Sequence, residues 1–242
     1  MSPIHAGELD LRCAWEQLMS KAIVIGGSLA GMCAARVLSN FVDSVTVIER
    51  DSYPADRHFR TGVPQARHLH NLLARGLPEY EALFPGFERK MLDAGAIPVE
   101  SGWDIATRLP HGWAQRGHTG LWQLYASRPL IEATVLQLCQ HLGNVTFRER
   151  TEVTGLRVAG GTHRYCSGVE VRSRDDGAIR TLDADLMVDA SGAHSKAAEW
   201  LRQKDWSCPR MKSSTGSLAT VLDGSGRKTG PLTGGGKYCS CA

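Results

Sequence analysis

The sequence predicts an α/β fold: a parallel βαβ unit near the N-terminus, followed further along the chain by an inserted antiparallel β-meander. Three observations carry this. The apolar run Ala22-Ile23-Val24-Ile25, a glycine turn, a helical stretch and the β-branched run Val45 to Ile48 follow one another within about 30 residues, the length of one βαβ unit. Turn-forming residues then punctuate the chain at short, regular spacing between residues 153 and 182. Finally, Asp185 to Asp189 reads as one more buried strand that breaks at Ala-Ser-Gly and leads into a helix.

In chain order, residues 1 to 18 show no clean period, so the fold is expected to begin at Met19 with an N-terminal extension before it. Gly26 to Gly31 forms the turn, and Leu29, Met32, Cys33, Val37 and Leu38 recur at helical spacing up to Ser39-Asn40. With the second strand this predicts parallel pairing and a right-handed crossover. Charges and turn formers from Arg50 to Pro64 read as a long loop. Leu69, Leu72, Leu73 and Leu77 then predict an amphipathic helix ended or kinked by Gly76 and Pro78. Residues 85 to 118 offer only a short strand around Ile105 to Leu109. Leu121 to Ala126 is a strand, Pro129 opens a helix to about Leu142, and Asn144 to Arg150 returns as a strand, a second β-α-β passage. The meander follows as Val153 to Val158, Arg164 to Ser173 and Arg180 to Leu182. A helix from about Ser195 to Arg202 closes the ordered pattern. Residues 207 to 242, dominated by Gly, Ser, Thr and Lys, read as a linker or disordered tail.

Composition narrows the function classes. The 242 residues, with 42% hydrophobic and 22% charged side chains, are those of a globular chain of one or two domains. A balance of 28 basic against 25 acidic residues is too even to point to nucleic acid, yet it tolerates an anionic ligand. The apolar stretch Ala22 to Ala35 contains adjacent glycines, ends at Arg36 and is too short for a membrane span. Seven cysteines without a C-x-x-C pair suggest reduced thiols, and a cytoplasmic location is expected.

Gly26-Gly27-Ser28-Leu29-Ala30-Gly31 follows a strand and opens a helix, the setting of a dinucleotide fingerprint. Gly26 serves the tight turn and Gly31 the close approach of helix to strand, while the helix N-terminus offers N–H groups to a pyrophosphate. Ser28 replaces the middle glycine, and its hydroxyl can hydrogen-bond a phosphate. Glu49, at the end of the second strand, is placed to accept hydrogen bonds from an adenosine ribose. A nucleophile elbow around Ser28 is the rival reading, weakened by its position after the first strand and by Ala30 where a glycine belongs. His68 and His70, two apart on a predicted helix, face different ways and make a poor metal pair. His194 beside Ser195 resembles a triad fragment, but helix capping by Ser195 accounts for it more simply.

Together the segments A-I-V-I-G-G-S-L-A-G-M-C-A-A-R-V-L, V-T-V-I-E-R-D, R-T-G-V-P-Q-A-R-H-L-H, S-R-P-L-I-E and A-D-L-M-V-D-A-S-G-A-H-S resemble FAD-dependent monooxygenases of the single-component aromatic hydroxylase and epoxidase type, over roughly residues 20 to 205. The resemblance implies a GR2-type, Rossmann-like FAD-binding domain with the meander inserted and its C-terminal part missing. It implies FAD as cofactor, NAD(P)H as reductant, O2 as co-substrate and a small organic substrate. It also places Arg60 and Arg67 on the loop that passes close to the flavin or pyrophosphate and Arg128 at a phosphate or the ribityl side, and it counts Arg50, in V-T-V-I-E-R-D, among the cofactor-binding residues. Arginine suits this because its fork binds phosphate bidentately. Ser191 and Gly192 fall in the family's A-D-G-x-x-S element, with Ser191 where Asp is usual.

The family's later Gly-Asp fingerprint has no counterpart, since the chain contains no Gly-Asp dipeptide. The isolated chain is therefore expected to be a truncated, inactive form or a non-catalytic ADP/FAD-binding fragment, with a separate chain as one way to complete the fold. Halogenases share the architecture, but their W-x-W-x-I-P element is absent. Prenyl reductases of the same design remain an alternative.

Overall fold

The computed structural model describes residues 20–54, 59–60, 63–68, 70–206 and 220–223, so the proposed extension 1 to 18 and most of the tail 207 to 242 lie outside the described residues. Strand β1 (Lys21–Ile25) runs into helix α1 (Leu29–Leu38) and returns as β2 (Ser44–Ile48), with β1 and β2 parallel and in register from Lys21 opposite Ser44 to Ile25 opposite Ile48. Strands β8 (Val145–Arg148) and β12 (Leu186–Asp189) add in parallel on either side. With strand β13 (Thr220–Asp223) at one edge, the five-stranded sheet has the order β13-β12-β1-β2-β8.

Its outermost member, β13 (Thr220–Asp223), pairs antiparallel with β12. That strand lies inside the segment read from sequence as linker. A four-residue run among glycines and serines has no periodicity of its own, and it acquires a strand state only from the edge it joins.

The two faces of this sheet bury different partners because β1 alternates. Ala22 and Val24 join Ala35 of α1, Val45, Val47, Leu186 and Val188 on one side. Ile23 and Ile25 point the other way, into a core with Val169 and Val171 of the meander and with Trp200 and Leu201. Nearly every position of β1, β2 and β12 is thereby buried, as expected for parallel strands covered on both faces. The meander consists of β9 (Thr151–Ala159), β10 (Tyr165–Ser173) and β11 (Ile179–Asp183) in the sheet order β11-β10-β9.

Between β2 and β8 lie helix α2 (Gly76–Leu83), helix α3 (Phe87–Asp93) and the long helix α4 (Arg128–Gln140). A three-stranded antiparallel sheet, β3 (Asn71–Leu72), β7 (Trp122–Tyr125) and β4 (Ile97–Glu100), accompanies them, with the small hairpin of β5 (Arg108–Leu109) and β6 (Gly112–Trp113). Helix α4 begins as its sequence requires, since the Ser127 hydroxyl accepts from the Leu130 N–H and Pro129 sits in the first turn.

Three expectations are corrected. The predicted leucine helix around 69 to 77 is instead the short strand β3 followed by a helix that starts at Gly76. Pro78 lies in the first turn of α2, where a missing N–H is tolerated, so it marks a beginning and not an end. Helix α3 escaped the sequence reading, although Phe87 and Met91 are one turn apart and both fully buried. The passage β7-α4-β8 is β-α-β in order only, because β7 pairs antiparallel with β3 and β4 whereas β8 joins β2 in the main sheet. Periodicity identifies an element without naming its partner.

Candidate functional site

At the carboxyl ends of β1, β2 and β12 the chain opens into a cleft of about 770 Å³, its mouth included. In open α/β sheets ligands bind in this crevice, where strand order reverses, and here β1 leads on one side to β2 and adjoins β12 on the other. The walls are Gly26 and Ser28, the β2 end from Ile48 to Asp51, Arg60 and Val63, the start of β9 from Thr151 to Val153, Ala190 and Ser191 after β12, and Lys196 and Trp200. Helix α5 (Ala197–Gln203) supplies the last wall.

The glycine turn is dictated by space. Gly26 has φ +98°, and a Cβ there would stand 2.6 Å from the Ala190 carbonyl oxygen. At Gly31 a Cβ would stand 1.8 Å from the Gly26 carbonyl oxygen, so α1 rests directly on the turn. At Gly27 it would meet the Tyr53 hydroxyl at 2.0 Å. No side chain caps the N-terminus of α1. Ser28 stands at the N-cap, yet its hydroxyl donates to Glu132 Oε1 on α4 and accepts from Arg128 at 3.2 Å. Its partners are thus a carboxylate and a guanidinium, not the histidine that a nucleophile elbow requires. Leu29 and Ala30 form the first turn of α1 and are not among the residues that line the cleft.

Glu49 is buried at the end of β2. Its Oε2 accepts from the Gly27 N–H at 2.9 Å and pairs with Arg60 at 2.8 Å, while Oε1 accepts from the Asp51 N–H at 2.9 Å. Arg60 also lies 3.9 Å from Glu132, and Arg128 lies 3.3 Å from the other oxygen of that carboxylate. Burial works against the Arg60 charge, but Glu49 and then Glu132 outweigh it, so the guanidinium stays firmly protonated. Tyr53 lies beneath Arg60, 4.8 Å from guanidinium carbon to ring centre, and donates to the Gly27 carbonyl at 2.7 Å. Burial, with Glu49 beside it, pushes the Tyr53 phenol well above its ordinary range and keeps that donor proton in place. Among the described residues, the Nε atoms of Arg60 and Arg128 are buried without a hydrogen-bond partner.

The structure therefore brings Gly26, Gly27, Ser28, Glu49, Arg60 and Arg128 into one cluster. Arg50 lies on the rim, half exposed and 3.7 Å from Asp51. Arg67 is not among the residues that line the cleft: it ends a short 3-10 turn (Pro64–Arg67), and its guanidinium lies over the Phe59 ring at 5.3 Å. Ser191 reaches the wall through Asp189. That buried carboxylate accepts from the Ser191 N–H at 2.9 Å and from the hydroxyls of Ser191 and Ser195, and so shapes the turn at Gly192. Ser195 also accepts from the Ala197 N–H at 3.2 Å, but it stands one residue before Lys196, the N-cap of the helix that follows, so the expected capping is not the role it takes. His68 and His70 are not on a helix, contrary to the sequence reading, and among the described residues no cluster of His, Cys, Asp or Glu could hold a metal.

Sequence reasoning missed Tyr53, Glu132 and Asp189. Glu132 was detectable in principle, as an acid one helical turn after Arg128, but only the packing of α4 against α1 aims it at Ser28.

Comparisons with known proteins agree with this fold. Residues 19–226 match the family described as FAD binding domain. Protein Rv3254 of Mycobacterium tuberculosis (strain ATCC 25618 / H37Rv) is 40% identical over 190 residues, which are 75% of this chain and 40% of that protein. Among solved structures, p-nitrophenol 4-monooxygenase PnpA from Pseudomonas putida DLL-E4 superposes with a TM-score of 0.54 at 15% identity, over 80% of this chain and 46% of its own. The oxygenase of 2-methyl-3-hydroxypyridine-5-carboxylic acid gives 0.53 at 23%, over 81% and 44%. The myxobacterial chondrochloren halogenase CndH gives 0.53 at 22%, over 74% and 39%. The chain spans less than half the length of each of these proteins. No helix among the described residues is long and apolar enough to cross a membrane.

Proposed function

The chain belongs to the FAD binding domain family, and from that membership we propose that its cleft holds the ADP half of FAD in a monooxygenase acting on a small organic molecule. One observation carries the reading: the uncapped start of α1 lies beside two guanidiniums, from Arg60 and Arg128, that each keep a buried nitrogen without a partner. A pyrophosphate suits such a place, because helix N–H groups and arginine forks both favour a compact anion. Glu49, already joined to the Gly27 N–H, has a carboxylate oriented for the adenosine ribose, and Thr151 to Val153 wall the adenine side.

When bound, FAD supplies the redox centre through which NAD(P)H and O2 hydroxylate or epoxidise the substrate. The chain's own residues bind and orient. Gly26 and Gly31 let backbone approach backbone, Tyr53 and Arg60 hold the turn by its Gly27 carbonyl, and Asp189 fixes the wall at Ser191 and Gly192. Exclusion of water from the reacting end is the task of the substrate pocket, to which none of the cleft residues named above is assigned.

The test is calorimetric titration of the protein with ADP and FAD, repeated on Arg60→Met. Binding by the wild type and at least tenfold weaker binding by the variant, the scale of a lost charge-assisted hydrogen bond, is expected. A wild type that binds neither ligand refutes the proposal.

A further inference from the structure

Glu132 accounts for the charge balance beside this cleft, at Ser28 and the start of α1. Three groups converge on it: the Ser28 hydroxyl and Arg128, at 3.3 Å, donate to it, and Arg60 forms an ion pair with it at 3.9 Å. These are the groups that the pyrophosphate reading requires, and the carboxylate sits among them at the start of α1, largely buried. Two carboxylates, Glu49 and Glu132, face two guanidiniums, so the cluster is neutral as it stands. A dianionic pyrophosphate entering beside it would leave an excess of negative charge in a poorly solvated place.

The distances say which carboxylate yields. Charge-assisted N–H to oxygen bonds run about 2.7–2.9 Å. Glu49 meets that standard with Arg60, at 2.8 Å, and is further tied to the Gly27 and Asp51 N–H groups. Glu132 holds both arginines loosely, and its close partner is Ser28, whose single proton is thereby withheld from any phosphate.

We infer that Glu132 is an internal counter-anion for Arg60 and Arg128 that competes with the ligand's phosphates, so that only an anion able to draw both arginines away from it binds well. Glu132 is in this sense a specificity-determining residue: it weakens the cleft for phosphates and leaves its affinity for the nucleoside untouched. The inference rests on the pyrophosphate reading above and assigns the opposite sign to Glu132 from that expected of a residue that merely positions the arginines.

The experiment compares wild type with Glu132→Gln, which keeps an oxygen to accept from Ser28 and removes the charge. Calorimetry with ADP and with adenosine reads the two halves of the site separately. ADP is expected to bind the variant on the order of tenfold more tightly, the size of a like-charge contact removed in partly screened surroundings, with adenosine unchanged. Glu132→Met, of similar volume and uncharged, repeats the test should the first variant fold poorly. Equal or weaker ADP binding by a folded variant overturns the inference while leaving the cofactor reading intact. If neither wild type nor variant binds ADP or FAD, the cofactor reading itself falls, and the inference with it.

Discussion

Gly31→Ala is the sharpest test of how the cleft is built. A Cβ at residue 31 would lie 1.8 Å from the Gly26 carbonyl oxygen, 2.9 Å from its carbon and 3.3 Å from a methyl of Val24. The obstruction is backbone, not the end of a side chain, so relief requires α1 to retreat from β1 by more than an ångström. Such overpacking costs about 1–3 kcal/mol, and more where backbone must move. Against it, alanine in place of glycine inside a helix gains about 1 kcal/mol at most. The net expectation is a loss of about 2 kcal/mol in urea unfolding, together with weaker ADP binding because the start of α1 shifts. Gly76→Ala is the control: it lies at the start of α2, with nothing within 4 Å of the added carbon, and should leave stability unchanged or slightly raised. If Gly31→Ala unfolds at the same urea concentration as wild type, the close approach of helix and turn does not support the site.

Glu49→Ala leaves Arg60 buried with Glu132 as a loose ionic partner and a long bond to the Gly27 carbonyl, and breaking such a pair costs about 3 kcal/mol. Both thermal unfolding and ADP affinity should show it, with Glu49→Gln closer to wild type in stability because it can still accept from Gly27. The Glu100 carboxyl is held below its usual range by His118, then by the Gly120 and Thr119 N–H groups. Its folded-state value lies under the unfolded one, so its stabilisation is complete above the ordinary carboxylate range near 4.5 and is lost as pH falls through the depressed value. Acid unfolding followed by fluorescence should be less steep in Glu100→Gln. Part of the slope should persist, since Glu152, held down first by Arg172 and then by Lys196, acts with the same sign. Residues 1–242 alone, given FAD and NADPH, should form no hydroxylated or epoxidised product from phenolic or polyene substrates; coupled product formation by this segment would place the whole chemistry within it.

The glycine turn shows how much of the site could be read early. A strand, Gly26, Gly31 and Glu49 fall at sequence intervals imposed by local geometry, namely a turn of positive φ, a helix start and a strand end. The same locality made the meander and the N-terminus of α4 legible, because hairpin turns and helix caps involve residues a few positions apart. Where the partner is remote the reading stopped. Arg60 and Arg67 belong to one loop and looked equivalent, yet Arg60 turns inward to Glu49 while Arg67 covers Phe59. Glu132 is 104 positions from the serine it binds, and β13 becomes a strand only against β12.

What the sequence determined by itself is therefore the class of the fold and its family, both written in short-range patterns of apolar period, turn residues and a glycine fingerprint. Tertiary structure alone decided the charge balance of the cleft: which arginines enter it, which carboxylates meet them, and that the Ser28 proton goes to Glu132. Local spacing constrains backbone conformation, but a charge network is set by which side chains converge in space, and those come from β2, the loop after it and α4, brought together only when the sheet and its helices pack.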